Sequence, residues 1–175
     1  RFGYIELTVI VIIGFIIIMK NQLQPIIGTI IALRISQLFL DYNFDRADEY
    51  WQGSEVAYKM HYGYGYLSWE WTMDEPIRSP LYQLYLSIGY IFCDHLQCST
   101  YVKEIAPKIM QILLSIICDY FLIKTASYYV KNISYFVCLL LLTNWYYFSM
   151  LNRIYINSAE TCLATISFYF WATRE

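Results

Sequence analysis

Charged side chains are scarce in this sequence. They make up 15% of its 175 residues, whereas 58% of the residues are hydrophobic. An average soluble domain is about one quarter charged and about half apolar. The imbalance argues against an ordinary soluble domain and favours a protein that buries much of its surface in a lipid bilayer.

Several other signals are missing. The net charge of -2 gives no basic surface, so we predict no nucleic-acid partner. No Cys-x-x-Cys pair occurs, and neither His61 nor His95 has metal-ligand spacing with other residues, so we predict no metal site. No Gly/Pro-rich linker and no internal repeat divides the chain. Residues 1–175 are therefore predicted to form a single membrane domain.

The apolar residues cluster in runs that are candidates for membrane helices. These are residues 4–19, 26–40, 81–92, 107–130, 133–150 and 154–171. The first is either a signal-like segment or an extra span, and Pro107 is expected in the first turn of its helix. The chain starts with Arg1 and ends at Glu175 directly after an apolar run, so we expect it to be a piece of a longer protein.

Three charged residues interrupt these runs: Arg34, Asp119 and Lys124. A charge at membrane depth costs a few kcal/mol and usually faces the interior of a helix bundle. We therefore expect these side chains to make structural pairs inside an all-α, polytopic bundle.

Residues 41–80 form a loop of different composition. Eight of the fourteen acids of the chain lie there, with Trp51, Trp69, Trp71 and seven Tyr or Phe residues. Disordered loops are poor in aromatic residues, so this loop is expected to be folded. The i,i+4 pairs Tyr50–Ser54 and Trp51–Glu55 predict a short helix on the membrane surface, and "GYGY" and "DEPIRSP" predict turns.

Two interpretations of this loop remain open. Sugar faces stack on aromatic rings, sugar hydroxyls need acceptors such as carboxylates, and a carboxylate can act as a general base. The alternative is an aromatic belt at the membrane interface with a solvated acidic face. Composition and spacing alone favour the second interpretation.

The pattern "DEYWQ…GYGYLSWEW…RSP" resembles the first lumenal loop of the dolichyl-phosphate-mannose-dependent mannosyltransferases, glycosyltransferase family 22. Within that family it most resembles the GPI mannosyltransferase III branch, which adds the third mannose of the glycosylphosphatidylinositol (GPI) anchor. The similarity extends to about residues 26–171, because it also includes Arg34 and the segments "PKIMQILLSIICD" and "RIYINSAETCLATISFYFW". Four positions depart from the family pattern: Ala47, Tyr58, Pro80 and Gln83. The later spans of the family and its His-Lys-Glu-x-Arg motif do not occur in this sequence.

The resemblance implies a GT-C-type transmembrane helix bundle, multi-pass in the endoplasmic reticulum membrane. Residues 41–80 would be its lumenal catalytic loop and would carry short amphipathic helices. The implied partners are the lipid bilayer, dolichyl-phosphate mannose as donor and the GPI-anchor precursor as acceptor. The implied reaction is an inverting transfer that makes an α-1,2 linkage and needs no cofactor besides the donor.

The resemblance also implies site residues. Asp48 is the candidate base, and its alternative role is a helix N-cap; Glu49 is the second catalytic candidate and would bind a hydroxyl or support Asp48. The candidate substrate contacts are Trp51, Gln52, Trp69, Glu70, Trp71, Arg78, Arg153, Asn157 and Glu160. Arg78 would bind the donor phosphate, unless it pairs with Asp74 or Glu75. The aromatic candidates have packing and membrane anchoring as their alternative.

Two other functions remain open from the sequence. One is an N-glycan mannosyltransferase of the same superfamily that uses the same donor. The other is a non-catalytic membrane protein that binds glycolipid, and this alternative predicts no dependence on Asp48.

Overall fold

The computed structural model describes residues 23–40, 47–73, 77–130 and 134–174. All regular elements in these ranges are helical, which confirms the all-α prediction for this part of the chain. The apolar run 4–19 and the acids Asp41, Asp45, Asp74 and Glu75 lie outside the described residues.

The described elements follow one another with short connections. In chain order they are α1 (Leu23–Leu40), α2 (Ala47–Glu49), a π-helical turn (Tyr50–Ser54), α3 (Glu55–Tyr62), α4 (Trp69–Thr72), α5 (Leu81–His95), α6 (Thr100–Tyr129), α7 (Ser134–Thr143), α8 (Trp145–Met150) and α9 (Ile156–Ala172).

Helix α6 is the central element. It has 30 residues, about 45 Å at 1.5 Å per residue, and it is the one helix in the described ranges long and apolar enough to cross a membrane. Pro107 lies inside α6, so its predicted place in the first turn was wrong. The helix starts at Thr100, directly after the extended Ser99, and continues as a regular helix through the buried Pro107.

Three hydrophobic clusters of the described residues lie along α6, and one of them joins Cys118 of α6 to Leu151 and to Cys162 of α9. Toward its N-terminus, Ala106 and Met110 pack with Ala57 of α3 and with Leu86 and Tyr90 of α5. Toward its C-terminus, Ile123 packs with Ile30 of α1 and with Cys138 and Leu141 of α7. Helix α3 of the acidic loop therefore shares one core with α5 and the first half of α6.

Helix α5 is short and two-sided. Its 15 residues extend about 22 Å, less than a bilayer core of about 30 Å. Leu86 and Tyr90 are buried, whereas Leu84, Ile88 and Ile91 are exposed at helical spacing on another face. The apolar run 81–92 thus forms an amphipathic helix that packs on the loop.

A polar cluster joins α3, α5 and α6. Asp94 accepts hydrogen bonds from Lys103 and from the Tyr62 hydroxyl, at 3.1 Å from Tyr62, and its Oδ2 lies 2.7 Å from His61 Nε2. The hydrogen bonds from Lys103 and His61 lower the pKa of Asp94 to about 2. Asp94 is therefore ionised at neutral pH and holds the three helices together at this end.

The apolar run 133–150 forms two helices rather than the single span that was predicted. The break is at Asn144, whose side-chain oxygen accepts a hydrogen bond from Tyr147 N at 3.1 Å. An Asn side chain satisfies an N-terminal backbone N–H in this way and so starts a new helix. The break lets α8 turn toward α1 and α6.

Candidate functional site

The acidic pair Asp48–Glu49 leads directly into the π-helical turn. The wider turn brings Tyr50 opposite Glu55, and the Tyr50 hydroxyl donates to Glu55 Oε2 at 2.6 Å. This hydrogen bond raises the pKa of Tyr50 to about 12. The helix that the i,i+4 spacing of Tyr50 and Ser54 predicts is present, but its first part is a π-helical turn rather than a regular α-helix. Such turns are frequent at functional sites.

Glu55 also fixes the aromatic segment that follows α3. Its Oε1 accepts a hydrogen bond from Tyr66 N at 2.9 Å. Gly63 ends α3 in the left-handed conformation with a φ of 80°, and Gly65 has a φ of 132°. These two glycines produce the turn that "GYGY" predicts, and the turn brings the chain back to Glu55 and Lys59 of α3.

The two acids of the pair have opposite environments. The Asp48 side chain is exposed, and it lies inside the first turn of α2 rather than at its N-cap. Glu49 is only 1% exposed. Its carboxylate accepts hydrogen bonds from Ile154 N at 3.1 Å and from Arg153 Nη1 at 3.4 Å. The structure therefore presents Asp48 to an incoming molecule and holds Glu49 inside.

Arg78 and Glu70 lie in the neighbourhood of Asp48. Arg78 donates Nε to Glu70 Oε2 at 2.8 Å and Nη2 to Glu70 Oε1 at 3.1 Å. Glu70 and, more weakly, the Asp48 carboxylate raise the pKa of Arg78. The alternative partners Asp74 and Glu75 lie outside the described residues.

The predicted aromatic contacts differ in exposure. Trp51 is 40% exposed and Trp69 is 65% exposed, so both offer ring surface beside the acids. Trp71 is half-buried. Gln52 uses its backbone carbonyl, which accepts a hydrogen bond from Gln83 Nε2 at 2.7 Å. Gln83 is one of the four positions that depart from the family pattern, and its side chain donates to a backbone carbonyl of the π-turn.

Tyr58, another departure, belongs to an aromatic cluster. Its hydroxyl donates to the Tyr64 hydroxyl at 2.7 Å, and its ring contacts Tyr62, Tyr64 and Tyr90. The hydrogen bond with Tyr64 raises the pKa of Tyr58 to about 12. The Tyr58 hydroxyl therefore stays protonated, and the ring packs on the face of α3 with the other tyrosines.

The three candidate substrate contacts from the end of the chain, Arg153, Asn157 and Glu160, do not all lie at the same place. Arg153 reaches the site because it donates to Glu49. Asn157 and Glu160 are exposed on α9, and the structure does not include them in the hydrogen-bonded group around Glu49. Their predicted substrate contacts stay predictions.

The charges buried in the helices pair largely as predicted. Arg34 is 1% exposed and donates Nε to Asp119 Oδ2 at 2.8 Å and Nη2 to Asp119 Oδ1 at 3.1 Å. The ammonium of Lys124 instead lies 5.5 Å from the centre of the Tyr120 ring. The pairing prediction is thus confirmed for Arg34 and Asp119.

Arg34 also reaches α8 and the chain that follows it. Its Nη1 donates to Phe148 O at 2.7 Å and to Asn152 Oδ1 at 3.2 Å. Asn152 in turn donates to the buried Gln37 of α1. This second set of bonds was missed by sequence reasoning, although a polar residue placed three positions after a buried arginine is a usable signal.

Residues 151–155, which we call the 151–155 turn, connect α8 to α9. Leu151 O accepts hydrogen bonds from Gln111 Nε2 and Ser115 Oγ of α6, both at 2.7 Å. Ile154 lies against Gly53, where a Cβ atom would come within 2.5 Å of Ile154 Cγ2. The turn therefore touches the helix bundle on one side and the acidic π-turn on the other.

A comparison with known families decides the relationship of the chain. A model of the Alg9-like mannosyltransferase family matches residues 26–175. The chain belongs to the Alg9-like mannosyltransferase family. This confirms the resemblance drawn from the loop motif and includes every site residue described above. The family consists of membrane-bound glycosyltransferases.

The names of curated relatives agree with this family assignment. The chain is 36% identical over 146 residues to GPI mannosyltransferase 3 of Drosophila melanogaster, covering 81% of this chain and 25% of the relative. It is 34% identical over 146 residues to GPI alpha-1,2-mannosyltransferase 3 of Homo sapiens, covering 81% and 26%. It is 33% identical over 143 residues to mannosyltransferase APTG1 of Arabidopsis thaliana, again covering 81% and 26%. The chain thus spans about a quarter of the length of these relatives, and no solved structure matches it.

Proposed function

We propose that the complete gene product transfers mannose from dolichyl-phosphate mannose to the GPI-anchor precursor. It would add the third mannose in an α-1,2 linkage at the endoplasmic reticulum membrane. The family match and the names of the relatives support this proposal. The single observation that carries it to a residue is that Asp48 is exposed and its carboxylate acts electrostatically on Arg78 of the Glu70–Arg78 pair.

The reaction needs one base on the acceptor side. Asp48 takes the proton of the acceptor hydroxyl while that oxygen bonds to C1 of the donor mannose. The bond from C1 to the phosphate oxygen breaks, and dolichyl phosphate leaves with the electron pair. Attack from the face opposite the leaving group converts the β-linked donor into an α-linked product. Phosphate is already a good leaving group, so the scheme needs neither a second acid nor a cofactor.

Other residues bind rather than react. The planar guanidinium of Arg78 suits two phosphate oxygens of the donor, and Glu70 keeps it oriented through two parallel hydrogen bonds. Trp51 and Trp69 offer exposed rings on which sugar faces or lipid head groups can stack. Asp48 would therefore work between a phosphate-binding cation and aromatic surfaces.

The architecture that we propose is a multi-pass GT-C bundle with the acidic loop on the lumenal side. Helix α6 satisfies the length and hydropathy of a span, and the buried Arg34–Asp119 pair suits the interior of such a bundle. The short α5 exposes an apolar face and would lie along the membrane surface.

The test is complementation. The complete gene product is expressed in cells that lack their own enzyme for the third mannose, and GPI intermediates are separated. We expect the two-mannose intermediate to disappear. Its persistence, with the protein present in the endoplasmic reticulum, would contradict the proposal, and extension of an N-glycan precursor instead would support the alternative acceptor.

The donor is tested in membranes that cannot make dolichyl-phosphate mannose. Transfer should depend on added lipid donor and should not occur with GDP-mannose alone. Transfer from GDP-mannose in those membranes would overturn the donor assignment.

A further inference from the structure

We propose that the 151–155 turn positions the acidic π-turn, and that Asn152 and Glu49 are positioning residues for Asp48. The activity part of this inference rests on the proposed function. The side chain of Asn152 makes hydrogen bonds with Arg34 and Gln37, and Glu49 is buried next to Asp48 in the chain. Both would act through the backbone that they hold.

The first observation is the contact on the loop side. Glu49 accepts hydrogen bonds from Ile154 N and from Arg153. Four residues later, Gly53 lies so close to Ile154 that any Cβ would meet its side chain. Two contacts one helical turn apart fix both the position and the rotation of the segment that carries Asp48.

The second observation is the contact on the bundle side. Asn152 is 1% exposed, accepts a hydrogen bond from Arg34 and donates one to Gln37. The carbonyl next to it, Leu151 O, is held by Gln111 and Ser115 of α6. The 151–155 turn is therefore fixed by buried polar groups of α1 and α6 before it meets the loop.

The consequence concerns catalytic geometry. Asp48 is adjacent to Glu49 in the chain, so its carboxylate moves when Glu49 loses its partners. A displacement of about 1 Å in a reacting group can cost about 10²-fold in rate. Loss of Asn152 should therefore lower kcat while leaving the donor-binding residues Arg78 and Glu70 in place.

A disulfide between the two elements tests this positioning directly. A Cβ built on Gly53 lies 3.6 Å from Ile154 Cβ, within the range of about 3.5–4.5 Å that disulfides require. The pair Gly53→Cys/Ile154→Cys is made in the complete gene product, where the oxidising lumen favours bond formation. Bond formation is followed by a gel shift that is reversed by reductant, and the two single-cysteine variants are the matched controls.

The crosslink is then combined with Asn152→Ala. In the protein with the cysteine pair, we expect Asn152→Ala to slow crosslinking. In the protein without the introduced cysteines, we expect Asn152→Ala to reduce kcat about 10- to 100-fold with little change in the KM for the donor. In the triple variant, the oxidised form should transfer mannose at least several-fold faster than the same protein after reduction. Glu49→Gln, which is close in shape to the native residue, replaces Asn152→Ala as the background if that variant does not accumulate.

Three results would overturn the inference. They are failure of the cysteine pair to crosslink, an oxidised form less active than the reduced form, and a loss that appears in KM alone. Crosslinking is measured without substrate. If the cysteine pair crosslinks but the wild-type protein transfers no mannose, the proposed function is refuted and the contact between the two elements stays established.

Discussion

Asp48 and Glu49 are neighbours in the chain, yet only one of them can meet a substrate. Asp48 is exposed, whereas Glu49 is 1% exposed and accepts hydrogen bonds from the 151–155 turn. A general base must come within hydrogen-bond reach of the proton that it removes. The burial of Glu49 therefore favours Asp48 as the base and gives Glu49 a supporting role.

Arg78 gives the first prediction at this scale. Arg78→Lys keeps the charge but loses the two parallel hydrogen bonds with Glu70. Hydrogen bonds to charged groups contribute about 1.5–3 kcal/mol, and about 1.4 kcal/mol is a tenfold change. We expect the KM for dolichyl-phosphate mannose to rise about tenfold in steady-state assays. Arg174→Lys, the same change at an exposed arginine, is the control, and equal kinetics for the two variants would contradict a donor-binding role for Arg78.

At the scale of elements, the π-turn depends on Gly53. Gly53→Ala places a methyl group 2.5 Å from Ile154 Cγ2 and 3.2 Å from Ile154 O. Such overpacking costs about 1–3 kcal/mol, so we expect a lower Tm in detergent and reduced transfer.

Gly28→Ala is the matched control for that change. Its Cβ would meet nothing within 4 Å, and it lies inside α1. Alanine is favoured over glycine in helices by up to about 1 kcal/mol, so the Tm should stay constant or rise. A Gly53→Ala protein as stable and active as Gly28→Ala would show that the close contact with Ile154 is unimportant.

The buried ion pair of α1 and α6 makes a third prediction. Asp119→Ala leaves Arg34 charged and buried without its carboxylate partner, which costs about 3–5 kcal/mol. The double change Arg34→Met/Asp119→Leu should destabilise less than Asp119→Ala, because it removes both charges together. Thermal unfolding in detergent measures this, with Lys124→Met as a control expected to change stability by about 1 kcal/mol or less. A double variant less stable than Asp119→Ala would contradict the account.

Sequence patterns predicted the elements better than their junctions. Hydrophobic runs located α1, α5, α6 and α9 because apolar clustering is a local property. The break at Asn144 was missed because a single cap outweighed a continuous apolar run. The π-turn was missed because its i,i+5 contact between Tyr50 and Glu55 lies one residue from the helical spacing that the pattern favours.

The candidate site was predictable only in part for a similar reason. Asp48, Glu70 and Arg78 lie in one loop and could be grouped by motif. The partners of Glu49 come from residues more than a hundred positions away, so spacing could not identify them. Arg153 donates to Glu49 in the structure, and its predicted contact with substrate stays a prediction.

In the complete gene product, the acidic loop must face the lumen if Asp48 is to meet a lumenal donor and acceptor. Tyr66 is 78% exposed in that loop, so Tyr66→Cys in a background without other cysteines offers a probe. An impermeant maleimide should label it in sealed microsomes only after the lumenal side is opened. Labelling of intact microsomes from the cytosolic side would contradict the predicted orientation.

The role of Asp48 as the base of a mannose transfer can be tested directly in cells. The decisive measurement is the accumulation of the two-mannose GPI intermediate in cells that express Asp48→Asn in place of the native enzyme, at matched low expression. The change keeps the size of the side chain and removes its proton acceptor, and general-base catalysis contributes about 10²- to 10⁴-fold. Glu104→Gln, a similar change at an exposed acid of α6, is the control and should complement fully. We expect the Asp48→Asn protein to reach normal levels while the intermediate accumulates. Complementation equal to that of the wild type would show that Asp48 is not the base.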